Sequence, residues 1–167
     1  MPGRVLRPEA MWDTIVTTLQ TEFSDIPDVE RLTRVVLRLL FAAALGGALG
    51  FERERHGKSA GVRTHMLVAL GAAMFVLVPD LAGVSGGDMT RVIQGVVVGV
   101  GFLGAGSIIK GRAAQEVQGL TTAAGIWLTA AVGMSCGLGR EGTAVLSALL
   151  AIAILALVPH LSSVKDK

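Results

Sequence analysis

Five stretches of this chain each run for about 18–20 residues with almost no charge, the length an α-helix needs to cross about 30 Å of hydrocarbon. They are approximately Leu32–Phe51, Thr64–Leu81, Val92–Ile109, Leu120–Leu138 and Thr143–His160. A soluble amphipathic helix would interrupt such a run with a polar residue every third or fourth position, and these runs are not interrupted. The pattern predicts an all-α integral membrane protein, a bundle of about five transmembrane helices joined by short connectors. Composition agrees: 51% of residues are hydrophobic, only 17% are charged, and 22 are glycine.

Ahead of the first span, Trp12, Ile15, Val16, Leu19 and Phe23 fall on one helix face. That segment is too short and too polar to span. It reads as a short amphipathic interfacial helix with Trp12 at headgroup depth, or as a helix packing on another subunit. The expected organisation is a tail and interfacial helix over 1–30, a transmembrane domain over 31–161 and a short tail over 162–167. Arg34 and Arg38 lie in the first turns of the first span and are expected to snorkel to the interface. The first thirty residues lack a continuous apolar core, so no cleavable signal peptide is expected.

Arg53, Arg55, Lys58 and Arg63 lie around the first connector, Lys110 and Arg112 in the third, and Lys165 and Lys167 in the tail. The second and fourth connectors hold only Arg91 and Arg140. The distribution places connectors one and three and the C-terminus in the cytoplasm, with the N-terminus outside, against the basic N-terminal segment. A net charge of +2 is too small to suggest nucleic acid. The single cysteine, Cys136, is expected to be a packing residue, and no Cys/His metal spacing occurs.

Small residues recur at i and i+4: Gly46 with Gly50, Gly95 with Gly99, and Gly133 with Gly137. Such pairs let helix backbones approach closely in lipid. The third span adds Gly101, Gly104 and Gly106, which suit either close packing or a locally broken helix lining a site.

The charged stretch GFERERHGKSAGVRTH, residues 50–65, closes the first span with Glu52, Arg53 and Glu54 and opens the second with Arg63, Thr64 and His65. Carboxylates at a helix C-terminus oppose its dipole and need compensation. Either the run is a solvated connector, or Glu52 and Glu54 are held by Arg63 and neighbouring basic residues in a fixed cluster. Asp88 and Arg91, one turn apart before the third span, suit a helix cap or a ligand site at the other face. Thr64, His65, Thr121, Thr122 and Thr129 are candidates for hydrogen bonds between helices. No nucleophile–base pair or nucleotide-binding motif occurs, so an enzyme is not expected.

Three blocks together resemble the MgtC/SapB family of bacterial inner-membrane proteins. They are LGGALGFERERHGKSAGVRTHMLVALGAAMF (residues 45–75), RVIQGVVVGVGFLGAGSIIK (91–110) and VQGLTTAAGIWLTAAVGMSCGLG (117–139). The family motif positions fall on Glu52, Arg53, Glu54, Gly61, Arg63, Thr64, His65, Asp88, Arg91, Gly101, Gly104, Gly106, Gly119, Thr121, Thr122 and Trp127. Asp88-Met89-Thr90-Arg91 lacks the proline that family members often carry after the Asp, and Leu128 stands where some virulence-associated members have Cys. Longer members add a cytoplasmic C-terminal domain, so this chain is expected to be a short form.

The resemblance implies a multi-pass plasma-membrane protein linked to magnesium limitation and, in pathogens, to virulence. It offers protein partners in the membrane, including the F-type ATP synthase, and no cofactor or enzymatic activity. The glycine faces add an expected homodimer within the lipid bilayer. A non-enzymatic regulator or accessory protein is the leading expectation. An ion transporter or channel for Mg²⁺, K⁺ or protons, with charged clusters at both faces, is the alternative. The sequence itself names no metal ligand.

Overall fold

The computed structural model describes residues 8–22, 24, 28–110 and 117–162. The chain divides into two compact units, Met1–Val36 and Leu37–Lys167. The first holds helix α1 (Pro8–Glu22) and the start of α2 (Val29–Arg55). Trp12, Ile15, Val16 and Leu19 are all exposed along α1, so its apolar stripe has the expected register. Phe23 lies outside the described residues.

The second unit contains the rest of α2, then α3 (Val62–Leu81), α4 (Gly86–Gly106), α5 (Leu120–Gly137) and α6 (Glu141–Ser162). Ile109–Lys110 and Val117–Gln118 form a two-residue antiparallel pair between α4 and α5. Helices α2, α3, α4 and α5 are long and apolar enough to cross a membrane. The fifth expected span corresponds to α6, whose described apolar stretch, Glu141–Leu157, is shorter than the other four.

Helix boundaries extend past the apolar runs because hydropathy marks only the lipid-facing length. At the start of α2, the Asp28 carboxylate accepts the Arg31 amide (2.6 Å), and Glu30 pairs with Arg34 one turn on (2.7 Å). At its end, Gly57 adopts φ +64°, a left-handed conformation that costs glycine nothing. There Lys58 N–H reaches the Arg53 carbonyl (3.1 Å) and Gly57 N–H the Glu54 carbonyl (3.0 Å), the paired bonds of a Schellman motif. Glu52, Arg53 and Glu54 are therefore helical. Helix α4 likewise begins six residues before the expected Val92, placing Asp88 in its first turn and Arg91 in its second. It runs unbroken through Gly99, Gly101 and Gly104, so the locally broken third span does not occur.

Helix α5 is the hub, in contact with α3, α4 and α6. Two of its glycines allow this. A Cβ on Gly133 would strike the Ala69 carbonyl, and one on Gly137 the Ala73 carbonyl. On α2, a Cβ at Gly46 would lie 2.6 Å from the His65 carbonyl oxygen, and one at Gly50 2.6 Å from Val62 Cα. One core cluster consequently consists largely of alanine: Ala42, Ala69, Ala73, Ala144, Ala148 and Ala151, with Leu49, Val132 and Cys136. Large side chains such as Leu67, Phe75, Phe102 and Leu146 point outward.

Gly133→Val is expected to destabilise the purified protein by about 3 kcal/mol or more, since the added atoms meet backbone that cannot rotate away. Gly142→Ala, with nothing within 4 Å, is expected to stabilise by up to about 1 kcal/mol through helix propensity. Thermal unfolding of the two variants in one detergent checks both signs.

Candidate functional site

Each membrane end of the second unit carries a set of ionisable side chains. At the end formed by the first connector, α2 and α3 lie close through the glycine contacts just described. Glu54 reaches across that turn: its Oε2 accepts the backbone N–H of Val62 (2.9 Å), the first residue of α3. The carboxylate that opposes the α2 dipole thus sits at the favourable end of the α3 dipole. No side chain of Gly61, the N-cap residue, is available to do this.

Glu52, Arg53 and His65 turn inward and are only 8%, 3% and 1% exposed. Arg53 Nη1 lies 3.8 Å from Glu52 Oε2, an ion-pair distance too long for a hydrogen bond. His56 Nδ1 lies 3.0 Å from Glu52 Oε1 and also 2.9 Å from the Glu52 carbonyl oxygen; only the second has hydrogen-bond geometry. His65 Nδ1 is 3.0 Å from the Gly61 carbonyl oxygen. Both carboxylate oxygens of Glu52, Nε and Nη2 of Arg53, and Nε2 of His65 are buried without a hydrogen-bond partner among the described residues. Buried polar atoms are seldom left unpaired, so five in one cluster mark this end.

The expected cluster therefore divides. Arg63 and Thr64 are exposed, and Arg63 forms no ion pair with Glu52 or Glu54. Helical phase explains this: Arg63 lies two residues before His65, about 200° around α3. Arg53 and His56 take the role expected of Arg63. Arg55 also points away, its guanidinium 5.6 Å from the ring centre of exposed Phe51.

The opposite end holds a group that the snorkelling expectation missed. Arg38 is mostly buried; its Nη1 donates to Asp80 Oδ2 (3.1 Å) and to the Gly137 carbonyl oxygen (2.9 Å). One cation thereby compensates a carboxylate at the C-terminal end of α3 and a terminal carbonyl of α5. Gly139, at φ +70°, lies directly beneath the guanidinium, where a Cβ would strike Nη2. By contrast, Asp88 and Arg91 are 3.9 Å apart with side chains 80% and 83% exposed. They form the pair that suits the first turns of α4, and the structure buries neither.

Thr122 and Thr129 of α5 are buried, while Thr121 and Trp127 are exposed. Thr129 donates to Gly125 in its own helix (2.8 Å), and His65 likewise bonds within α3, so neither forms the expected bond between helices. The glycines of α4 also differ from expectation. A Cβ on Gly104 would lie 3.5 Å from the Ala123 carbonyl oxygen, whereas one on Gly95, Gly99, Gly101 or Gly106 would meet nothing within 4 Å. Gly95 and Gly99 line a groove of about 530 Å³ between α3 and α4; Gly101 and Gly104 line one of about 320 Å³ between α4 and α5, beside Trp127. Among the described residues, no three of His, Cys, Asp and Glu come together as a metal-ligand group.

Removing one member of the buried pair leaves the other uncompensated, so Arg53→Ala is expected to cost about 3–5 kcal/mol. Arg63→Ala should leave stability unchanged. Thermal unfolding of the two variants in the same lipid–detergent mixture separates them.

The MgtC family model matches residues 39–164. Over 127 residues the chain is 41% identical to "Putative magnesium transporter YhiD" of Escherichia coli, covering 72% of this chain and 58% of that protein. It is 46% identical to "Protein SrpB" of Synechococcus elongatus over 118 residues, covering 63% and 65%. With "Protein MgtC" of Brucella abortus it shares 47% identity over 126 residues, covering 75% and 51%. The chain thus spans about half to two thirds of the length of these curated relatives. No solved structure matches it. A helical membrane bundle with the family's motif blocks at both ends, matched along nearly all of its second unit, belongs to the MgtC family.

Proposed function

We propose that this chain is a non-enzymatic accessory or regulatory protein of a bacterial inner membrane, acting through helix contacts with a second copy of itself or another membrane protein. The single observation that carries this reading is the bare face of α4. Gly95, Gly99 and Gly106 fall on that face, and a Cβ on any of them would meet nothing within 4 Å, although glycine costs a helix about 1 kcal/mol each relative to alanine in water. Gly133 and Gly137 show what this chain uses glycine for, which is contact between backbones. Flanked by two apolar grooves and by exposed Val98 and Phe102, the α4 face has both hollows and knobs for a helix from outside the unit.

Adaptation to magnesium limitation is the setting we assign, supported by family membership and by the magnesium in the name of the Escherichia coli relative. Exposed Arg55, Lys58 and Arg63 favour a cytoplasmic first connector, hence N-terminus out and C-terminus in. The F-type ATP synthase, offered by the family resemblance, is the partner to test beside self-association.

The transporter reading keeps one observation in its favour: a buried, incompletely hydrogen-bonded ionic group at one end of the bundle, with the Arg38–Asp80 pair at the other. Intramembrane ionisable groups commonly mark ion paths.

With Cys136 replaced by Ser, cysteines at Val98 or Phe102 should crosslink between copies in native membranes, and cysteines at Leu146 or Leu150 of α6 should not. Gly99→Leu should reduce that crosslinking several-fold. Monomers alone, with no protein co-purifying, would sink the contact reading. For the rival, flux of Mg²⁺, K⁺ or protons into proteoliposomes holding folded protein is decisive, and its absence for all three removes the transporter.

A further inference from the structure

The Glu52–Arg53–His65 group has a chemical property that does not depend on the contact reading of α4. His65 Nδ1 faces the Gly61 carbonyl oxygen at 3.0 Å. A carbonyl only accepts, so Nδ1 must carry the hydrogen and donate. In the neutral ring Nε2 is then a bare acceptor. That atom is buried and has no donor among the described residues. It lies 3.6 Å from where a Cβ on Gly125 would stand, so this edge of the ring faces the backbone of α5.

From this geometry we infer that His65 Nε2 is a buried proton-binding site whose compensating charge is Glu52 and whose opposing charge is Arg53. Proton uptake forms an Nε2–H bond and gives an imidazolium, with Nδ1–H still bonded to Gly61; no electrons move and no other bond breaks. The new N–H is a donor, and on the adjoining α2 both Glu52 oxygens lack one among the described residues.

Among the described residues, the helices α4 and α5 bring no competing charge to the ring. Helix α5 contains no Asp, Glu, Lys, Arg or His, and the only acidic and basic residues of α4, Asp88 and Arg91, lie at its far end. From α2 come Glu52 and Arg53, both of which act electrostatically on the ring, with His56 against Glu52. Glu54 is engaged by the Val62 amide, and Arg63 is exposed.

The test is ¹⁵N-histidine NMR of the full chain in lipid nanodiscs across the range where imidazoles titrate, about pH 5–8. At the alkaline end, His65 should show a protonated Nδ1 and an unprotonated Nε2. On acidification Nε2 should take the proton while Nδ1 keeps its own. Glu52→Gln should weaken proton binding about tenfold or more, and Arg53→Gln should strengthen it by a similar factor. A merely structural role would not move proton affinity in opposite directions for the two variants. An Nε2–H tautomer in the unmodified protein, or an Nε2 that never titrates, overturns the site without any variant having to fold. Equal midpoints in the unmodified protein and Glu52→Gln would overturn the role of Glu52.

Discussion

The close approach of α3 and α5 is the contact on which the rest of the bundle depends. In hydrocarbon no hydrophobic effect separates helix from lipid tail, so association relies on van der Waals contact and on how near the backbones can come. Gly133 and Gly137 bring α5 against the carbonyls of Ala69 and Ala73. With α5 fixed there, α4 and α6 pack on its remaining faces, and α2 closes on α3 through Gly46 and Gly50. One core cluster is accordingly built largely of alanine, while many leucine and phenylalanine side chains face outward. A water-soluble bundle would be arranged the other way round.

The helix ends are settled by exchange between neighbouring helices. Glu54 would be unfavourable at the end of α2, but it caps the start of α3. Asp80 would be unfavourable at the end of α3, yet Arg38 compensates it and takes a terminal α5 carbonyl as well. These arrangements leave little charge uncompensated, and they make the contrast with Glu52, Arg53 and His65 clear. That group is more deeply buried and equally close to a helix end, but its hydrogen-bonding capacity is not used up. A fold that satisfies its other helix ends has a reason other than packing to retain such a group.

Much of the architecture was legible because a membrane restricts what a chain can do. The number and order of the apolar helices follow from run length, and the amphipathic register of α1 follows from its period. The glycine pairs at Gly46/Gly50 and Gly133/Gly137 identify close backbone contacts, since spacing of four is helical geometry. The same spacing at Gly95/Gly99 proved ambiguous: the glycines share one face of α4, but spacing does not say whether that face meets another helix of the same unit. Arg63 misled for a related reason, because a charge at a span end looks the same in sequence whether it points in or out. Arg38 was misread in the other direction. Its partners, Asp80 and Gly137, are 42 and 99 positions away.

The sequence by itself determined that this chain is an all-α membrane protein of the MgtC family, since run length, residue type and motif order are properties of the chain alone. It also determined that the charges would gather at the helix ends, because hydrocarbon excludes them from the middle. Only the tertiary structure decided which of those charges are buried and what they face. That decision depends on the rotation of α2 and α3 about their axes, fixed by where Gly46 and Gly50 allow contact. Because successive residues turn by about 100°, one short run of charges is divided between the protein interior and the outside.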